Sequence, residues 1–599
     1  MTKRKLPAQR VPSVGNAVVG TSPCGKGGLL AMAICLALGS GAACAFEFDT
    51  EAPDLKVRWD NTVKYSSAWR LNNADTTLTA NPNQDDGDRN FKKGQISNRF
   101  DLLSELDIAY QNVGARVSAA AWYDSKYLGN NDNPGFVGGA FPNQLSVPAN
   151  QFTSETKHIH GQGAEFLDAF VYGKFDLGDK RTTVRAGKHA LVWGESMFFG
   201  SNAIAGGMAP VDVVKLVSVP NTQFKEAIRP VQQLSGQIQV TPDVSIGAFY
   251  QFRWAPNRLP AVGSYFSQLD SNPNGAEQLL LAGPGSPFAA NAPRLDDQRA
   301  SNSGQGGIQV RFRSDEADYG IYLIRFHDKN FQQVTNVGLA PTVVPAVACG
   351  GAFGPAGVAL GGTCYLAGGP VSYRLAYHEG ITAFGGSVSR TFGDINLAAE
   401  ASIRHNQDLA SSGAFDASAL GAAATNNSNN PGYATGNTAH FNASMLWSMQ
   451  PTVLFNEATL LAEMAWNRVL HVDHNPINGA GVSVLDPRAT RDAVAFRGLF
   501  TPTYRQVWSG VDLEVPIGLG FAPKGSRSMA IGPGAFPSDG GGDFSVGVNA
   551  IYLDAWRIGV NYTHYFGPEG TFVNAANGFS YKQSLADRDF IAFSLRTTF

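Results

Sequence analysis

One feature limits this chain more than any other: a two-residue alternation with charge on one side and apolar bulk on the other. Leu55, Val57, Trp59, Val63 and Tyr65 alternate with Lys56, Arg58, Asp60, Thr62 and Lys64. Successive side chains of a strand point to opposite faces, so this strand has one apolar and one charged face. Phe100, Leu102, Leu106, Ile108 and Tyr110 interleave with Arg99, Asp101, Glu105 and Asp107 in the same way. A basic residue at the bilayer midplane on a lipid-facing surface costs roughly 2–4 kcal/mol. Turning Arg58, Asp60 and Lys64 outward would stack such penalties on one strand. In a membrane the apolar face must therefore meet lipid and the charges must line a lumen. A soluble barrel with an apolar interior would need the reverse.

The alternation recurs to the end of the chain, and the connections between strands come in two kinds. Short turns are read at 111–114, Gly178-Asp179, Thr241-Pro242-Asp243, Ser314-Asp315-Glu316, Phe392-Gly393-Asp394, Gln450-Pro451 and Asp554. Long polar stretches separate them at 71–96, 128–160, 194–230, 255–302, 329–378, 407–437, 470–497, 522–541 and 567–587. Short turns on one side and long loops on the other are the layout of an outer-membrane barrel. The fold expected is all-β: one transmembrane antiparallel β-barrel over 46–599. The strand count reads as 18, with 16 as the runner-up, because the strands around Trp508-Ser509-Gly510 are weakly marked. The final strand alternates Ile591, Phe593, Leu595, Thr597 and Phe599 with Ala592, Ser594, Arg596 and Thr598. It resembles the C-terminal assembly signal of Gram-negative barrels, carried here by Phe593, Leu595 and Phe599, and it implies a barrel-assembly machinery as partner.

Residues 1–45 read as a secretory signal. Lys3, Arg4, Lys5, Arg10 and Lys26 precede an apolar run, Leu29 to Leu38, too short to span a bilayer stably, and Ala43-Cys44-Ala45 offers small residues before Phe46. A lipoprotein reading of Cys44 meets Gly41 where a large aliphatic residue is expected. Three of five cysteines lie in this leader. The other two, Cys349 and Cys364, form an even pair in an exported chain, which reads as a disulfide closing a loop, against two free thiols. The formal net charge of −3 argues against nucleic acid as a partner.

The stretch from Gly187 to Val231 begins as a strand and then runs about 35 residues without a regular pattern before Leu234 starts the next one. It carries Phe198, Phe199, Ile204, Met208 and Val211 to Leu216, too apolar for a free tail. Two readings stand: a segment folded into a hollow as a constriction, at 194–230, or an ordinary packed surface loop. Alternation places Arg185, His189, Trp193 and Glu195 on one face of the feeding strand, assigned to the lumen. Asp168, Lys174, Arg58 and Asp60 join them from neighbouring strands; such charges read equally as a network that holds a loop or sets ion selectivity and as plain lumen solvation with local salt bridges. Asp212, Lys215, Lys225, Glu226 and Arg229 are the charges of the segment itself.

The pattern G-K-x-x-x-x-W-G-E-S from Gly187, then Pro210-Val211-Asp212, then K-E-A-x-x-P-V from Lys225, resembles one family. It is an uncharacterised group of proteobacterial outer-membrane proteins, domain of unknown function 1302. Further matching elements are Gly263-Ser264-Tyr265-Phe266-Ser267, Asp512-Leu513-Glu514-Val515-Pro516-Ile517 and Tyr562-Thr563-His564-Tyr565-Phe566. One departure is Pro220-Asn221, where the family has Pro-Gly. The resemblance implies the outer membrane of a Gram-negative bacterium and outer-membrane lipid as surroundings. It also implies the neighbourhood of an RND-type permease and an outer-membrane lipoprotein-sorting-like protein, and of pathways for hydrophobic compounds.

Enzyme signatures are absent: there is no G-x-S-x-G, H-E-x-x-H, P-loop or C-x-x-C. No cofactor and no metal is expected. His378-Glu379 and His471-Val472-Asp473-His474 read as solvated loop histidines rather than metal ligands, and Asp85-Asp86-Gly87-Asp88 as a solvated loop tip without the full spacing of a calcium loop, with divalent-cation binding at the cell surface the minor alternative. The function expected is an outer-membrane channel or gated pore for a small hydrophobic organic solute. The alternative is a non-transport envelope-assembly or surface barrel that binds a partner through its loops. An outer-membrane hydrolase ranks below both.

Overall fold

The computed structural model describes residues 46–48, 52–135, 143–220, 222, 224–272, 274–282 and 286–599. The expected leader 1–45, Asn221 and the Lys225 side chain lie outside what is described.

Eighteen antiparallel strands make one sheet that closes on itself. The first seven are β1 (Leu55–Arg70), β2 (Gly94–Tyr110), β3 (Val113–Asp124), β4 (Gln162–Leu177), β5 (Lys180–His189), β6 (Val231–Thr241) and β7 (Val244–Gln251). There follow β8 (Gln305–Ser314), β9 (Ala317–Phe326), β10 (Ile381–Phe392), β11 (Ile395–Asp408), β12 (Thr435–Met449) and β13 (Glu457–His474). β14 is Asp492–Trp508, and β15 comes in two pieces, Val511–Glu514 and Ile517–Ala522. β16 (Gly541–Tyr552), β17 (Trp556–Phe566) and β18 (Phe590–Thr598) complete the wall. Closure runs from Thr62↔Thr598 to Arg70↔Phe590, between β1 and β18. The weakly marked region resolves at Pro516: both pieces of β15 pair with β14 and β16, and the break falls at a residue with no N–H to give a ladder.

The pleat sorts side chains as the alternation requires. On β1, Lys64, Ser66 and Arg70 are buried inward while Trp59 and Trp69 are exposed outward. Phe166, Val171, Leu234, Ile308, Phe384 and Ile403 continue the exposed apolar face around the wall. An exterior of this kind is stable in hydrocarbon and costly in water, so the molecule is built as a membrane barrel.

The long loops at one end are folded and packed on one another. Phe91, Tyr127, Phe152, Tyr265 and Phe266, from three loops, form an aromatic cluster over Ala68 and Ala592 of the wall. Beside it Arg70 and Arg588 converge on Asp88 at 2.9 and 2.8 Å, and Arg70 also binds Asp587 at 2.6 Å. This corrects the expectation of a solvated tip: Asp85 and Asp88 are buried, because two arginines and the aromatic cluster draw that turn inward. His378 is likewise buried, held between the Tyr433 hydroxyl (3.1 Å) and the Asn406 carbonyl (2.9 Å). Beyond the barrel, Gln332–Pro345 and Thr363–Ala376 pair in a projecting sheet, and Cys349 and Cys364 are joined there by a disulfide.

Candidate functional site

The segment after β5 folds inside the barrel and crosses it. β5 stops at His189, so Trp193 and Glu195 are not strand residues, as the alternation had suggested. Trp193 instead starts an apolar seat. With Ile204 and Met208 it packs on Phe249 of β7, Tyr322, Ile324 and Phe326 of β9, and Ile381 and Ala383 of β10. Ile204 and Met208 are 1% and 0% exposed, so the segment is docked in the interior rather than spread over a surface. The Trp193 and Phe249 rings meet edge to face at 5.0 Å.

The chain then turns at Gly194, with φ at +99°, where a Cβ would overlap the Glu400 carboxylate. Only glycine satisfies both demands. Glu400 projects from β11, accepts the Glu195 N–H at 2.8 Å and also accepts the Ile204 N–H. The next clasp is Glu463 of β13. Its carboxylate accepts the Ser196 hydroxyl at 2.7 Å and the Met197 N–H at 3.0 Å, as well as the Phe198 and Phe199 N–H groups. β13 lies eight strands from β5 in one direction and ten in the other, so the segment reaches the far wall. There Asn202, fully buried, gives hydrogen bonds to Asn442 Oδ1 (2.9 Å) and the Trp466 carbonyl (3.0 Å) and accepts one from Asn467 (3.0 Å). Arg404 donates to the Ser201 and Ala203 carbonyls at 3.0 and 2.9 Å, and Lys329 to the Gly207 carbonyl at 2.8 Å.

The return leg unites two pieces of the sequence pattern. Pro210-Val211-Asp212 pairs with Ala227-Ile228-Arg229: the Asp212 N–H reaches the Ala227 carbonyl at 2.7 Å and the Arg229 N–H the Pro210 carbonyl at 2.8 Å. Asp212 also caps the short helix Val213–Ser218 through the Lys215 N–H (3.1 Å) and pairs with Arg258 at 2.9 Å. Arg258 in turn binds Glu165 of β4 at 2.9 Å, and Lys215 lies 3.9 Å from the same carboxylate. Arg229 donates to the Pro256 carbonyl at 2.8 Å. On the β1 side Lys64 holds the Pro220 carbonyl at 3.2 Å, and Glu226 lies in the field of Lys64 and Arg596.

The remaining residues singled out in the sequence stand on the wall rather than in this framework. Arg58 pairs with Asp60 at 2.8 Å. Asp168 accepts the Ser118 hydroxyl at 3.1 Å and lies 3.6 Å from Arg116. Arg185 sits over the Phe170 ring, with Lys174 over Tyr172 on the same strand, and His189 is buried against the Ser235 hydroxyl at 2.8 Å. Glu195 turns its side chain to Arg311, 3.7 Å away. Sequence reasoning missed Glu400, Glu463, Glu165 and Arg258. The inward faces of β11 and β13 are otherwise small or apolar near Glu400 and Glu463, and a lone inward carboxylate there was the available signal.

The exposed apolar wall and the closed sheet define the molecule as a membrane β-barrel, with one segment docked across its interior. The sequence matches, over residues 26–599, the family described as protein of unknown function (DUF1302), and the chain belongs to that family. No curated protein matches the sequence. Among solved structures, OccAB4 of Acinetobacter baumannii is similar at 9% identity, covering 91% of this chain and 98% of that chain, with a TM-score of 0.40. OpdK of Pseudomonas aeruginosa with vanillate gives 9% identity, 91% and 98% coverage, and a TM-score of 0.37. OmpF of Salmonella typhi in complex with daunomycin gives 7% identity, 91% and 98% coverage, and a TM-score of 0.33. Likenesses this distant carry no weight for function.

Proposed function

We propose that this chain is a constricted outer-membrane channel that passes a small organic solute, with segment 194–230 setting the width of the passage. The observation that carries the proposal is the clasp of that segment by Glu400 and Glu463 on the far wall. A barrel this wide leaves an aqueous interior unless something fills it, and here a docked segment fills part of it. The wall carries mixed charges, including Arg58, Asp60, Arg116 and Asp168, and Arg311 reaches the segment at Glu195, which suits a water-filled path with a screened field. The long-loop end is placed at the cell surface and the short turns at the periplasm. A sparingly soluble, hydrophobic solute and an RND-type partner are taken from the family resemblance alone, and no lumen residue is assigned to select either.

A second reading keeps the barrel as a platform for a binding partner. The disulfide-closed hairpin favours it, because Val343, Val347 and Leu360 stand exposed near its tip. Proteoliposome flux separates the two. Leakage that depends on the solute supports the channel. A folded barrel that passes no solute of any class contradicts it and supports the platform.

A further inference from the structure

The loop knot contains two ionic groups, and only one of them balances. Arg70 and Arg588 face Asp88 and Asp587, two positive against two negative. Next to them, Asp85 and Asp86 from the loop after β1 meet Asp270 from the loop after β7. One oxygen or more from each lies within 4.8 Å of the others. Arg89 pairs with Asp85 at 3.1 Å and is the cation that neutralises part of this trio. When ionised, three carboxylates with a single paired guanidinium carry excess negative charge in a place with little water. Asp270 is 0% exposed and Asp85 is 4% exposed.

The hydrogen bonding shows the same deficit. One Asp270 oxygen accepts the Asp86 N–H at 3.1 Å, whereas Oδ1 is buried with no donor among the described residues. An ionised carboxylate oxygen left without a donor or cation is costly to bury. Asp85 and Asp86 also line a cleft with Asn133, Gln144 and Gly263. The spacing suits a hard cation: oxygens about 2.4 Å from one ion stand at most roughly 4.8 Å apart.

We propose that Asp85, Asp86 and Asp270 bind one divalent cation of the calcium class, which restores neutrality and staples the first and fourth long loops. This site is independent of any transport role. The test uses the whole chain refolded in detergent, stripped with chelator and checked as a folded barrel by its heat-modifiable migration. Titration calorimetry with calcium chloride should show one saturable site, with magnesium binding at least about tenfold more weakly, because a smaller ion demands a tighter octahedron. Asp270→Asn removes one ligand charge and should weaken calcium by about tenfold or more. Terbium luminescence on the unsubstituted chain gives a second readout should that variant not fold. No saturable calcium binding by the folded wild-type barrel would overturn the site. So would calcium affinity unchanged in folded Asp270→Asn, or magnesium binding as tightly as calcium.

Discussion

The Glu463 carboxylate receives the Ser196 hydroxyl at 2.7 Å across a sequence separation of 267 residues. One partner stands on the wall at β13. The other belongs to the segment that leaves β5 almost opposite. With Glu400 holding the Glu195 and Ile204 amides, two wall carboxylates satisfy six donors of the outgoing leg, 195–204, which has no ladder of its own. A segment placed in the middle of a barrel must find partners for its backbone, and these two side chains supply them. The W-G-E-S pattern then has a physical meaning. Trp193 fills the apolar seat, Gly194 makes the turn, Glu195 presents its amide to Glu400 and Ser196 its hydroxyl to Glu463.

Removing the clasp should loosen the segment. Glu463→Ala strands four donors of the segment and the Asn442 amide, and each buried donor without a partner costs about 1–3 kcal/mol when it cannot reach water. Since part of the segment can rehydrate, a destabilisation of roughly 2–4 kcal/mol is expected for the docked state. Hydrogen exchange of 194–204 reads it directly: faster exchange in the variant is expected, and unchanged protection would count against the clasp.

Gly194→Ala should damage the same contact from the other side. The substitution meets both an unfavourable φ and the Glu400 carboxylate. Combining it with Glu400→Ala removes the overlap but not the backbone strain. The double variant is therefore expected to lose less than the sum of the two single variants, measured by chemical denaturation of the refolded barrel. Strict additivity would show that Gly194 and Glu400 do not meet.

The disulfide lies in the projecting sheet, outside the barrel wall. Unreduced protein should show Cys349 and Cys364 joined by mass spectrometry. Replacing both with serine should leave barrel stability unchanged within about 0.5 kcal/mol, while protease cleavage between them accelerates. A large loss of barrel stability would mean that the hairpin supports the wall.

The acidic trio predicts a pH dependence with a definite sign. Burial pushes the Asp85 carboxyl up to about 6 despite Arg89, and burial together with Asp85 pushes Asp86 up to about 7. Asp270 is raised well above the usual carboxylate range by burial and by both neighbours, with Arg588 opposing. An acid whose pKa is higher folded than unfolded holds more protons in the folded state. Its contribution is therefore greatest below the unfolded value near 4 and is lost as pH rises through about 6–7. In chelator, loop peptides 80–92 and 262–272 should lose protection over that interval, after correction for intrinsic exchange. Calcium should abolish the loss. Protection that rises with pH in chelator would contradict the assignment.

Much of the barrel was legible in the chain because period-two alternation and turn chemistry are local signals. Arg58 and Lys64 betray the lumen face, and Gly178-Asp179 or Phe392-Gly393-Asp394 mark the tight turns, without reference to any distant residue. The second arm of β15 was harder, since Pro516 splits it. The constriction was legible as an anomaly between 194 and 230, but its partners were not. Alternation turns Glu400 and Glu463 inward, yet says nothing about which segment they meet across the lumen. The Asp85–Asp88 turn reads as solvated for the same reason: its burial depends on Arg588, 500 residues away from Asp88. His378 is buried by Tyr433 through a loop whose course has no local signature.

The most direct test of the constriction is planar-bilayer conductance of the refolded barrel, comparing the full chain with one lacking 200–222, both confirmed as folded by heat-modifiable migration. The segment crosses the lumen, so low conductance is expected for the full chain and a large steady rise for the deletion. Equal conductance from two folded barrels would show that the segment does not limit the passage.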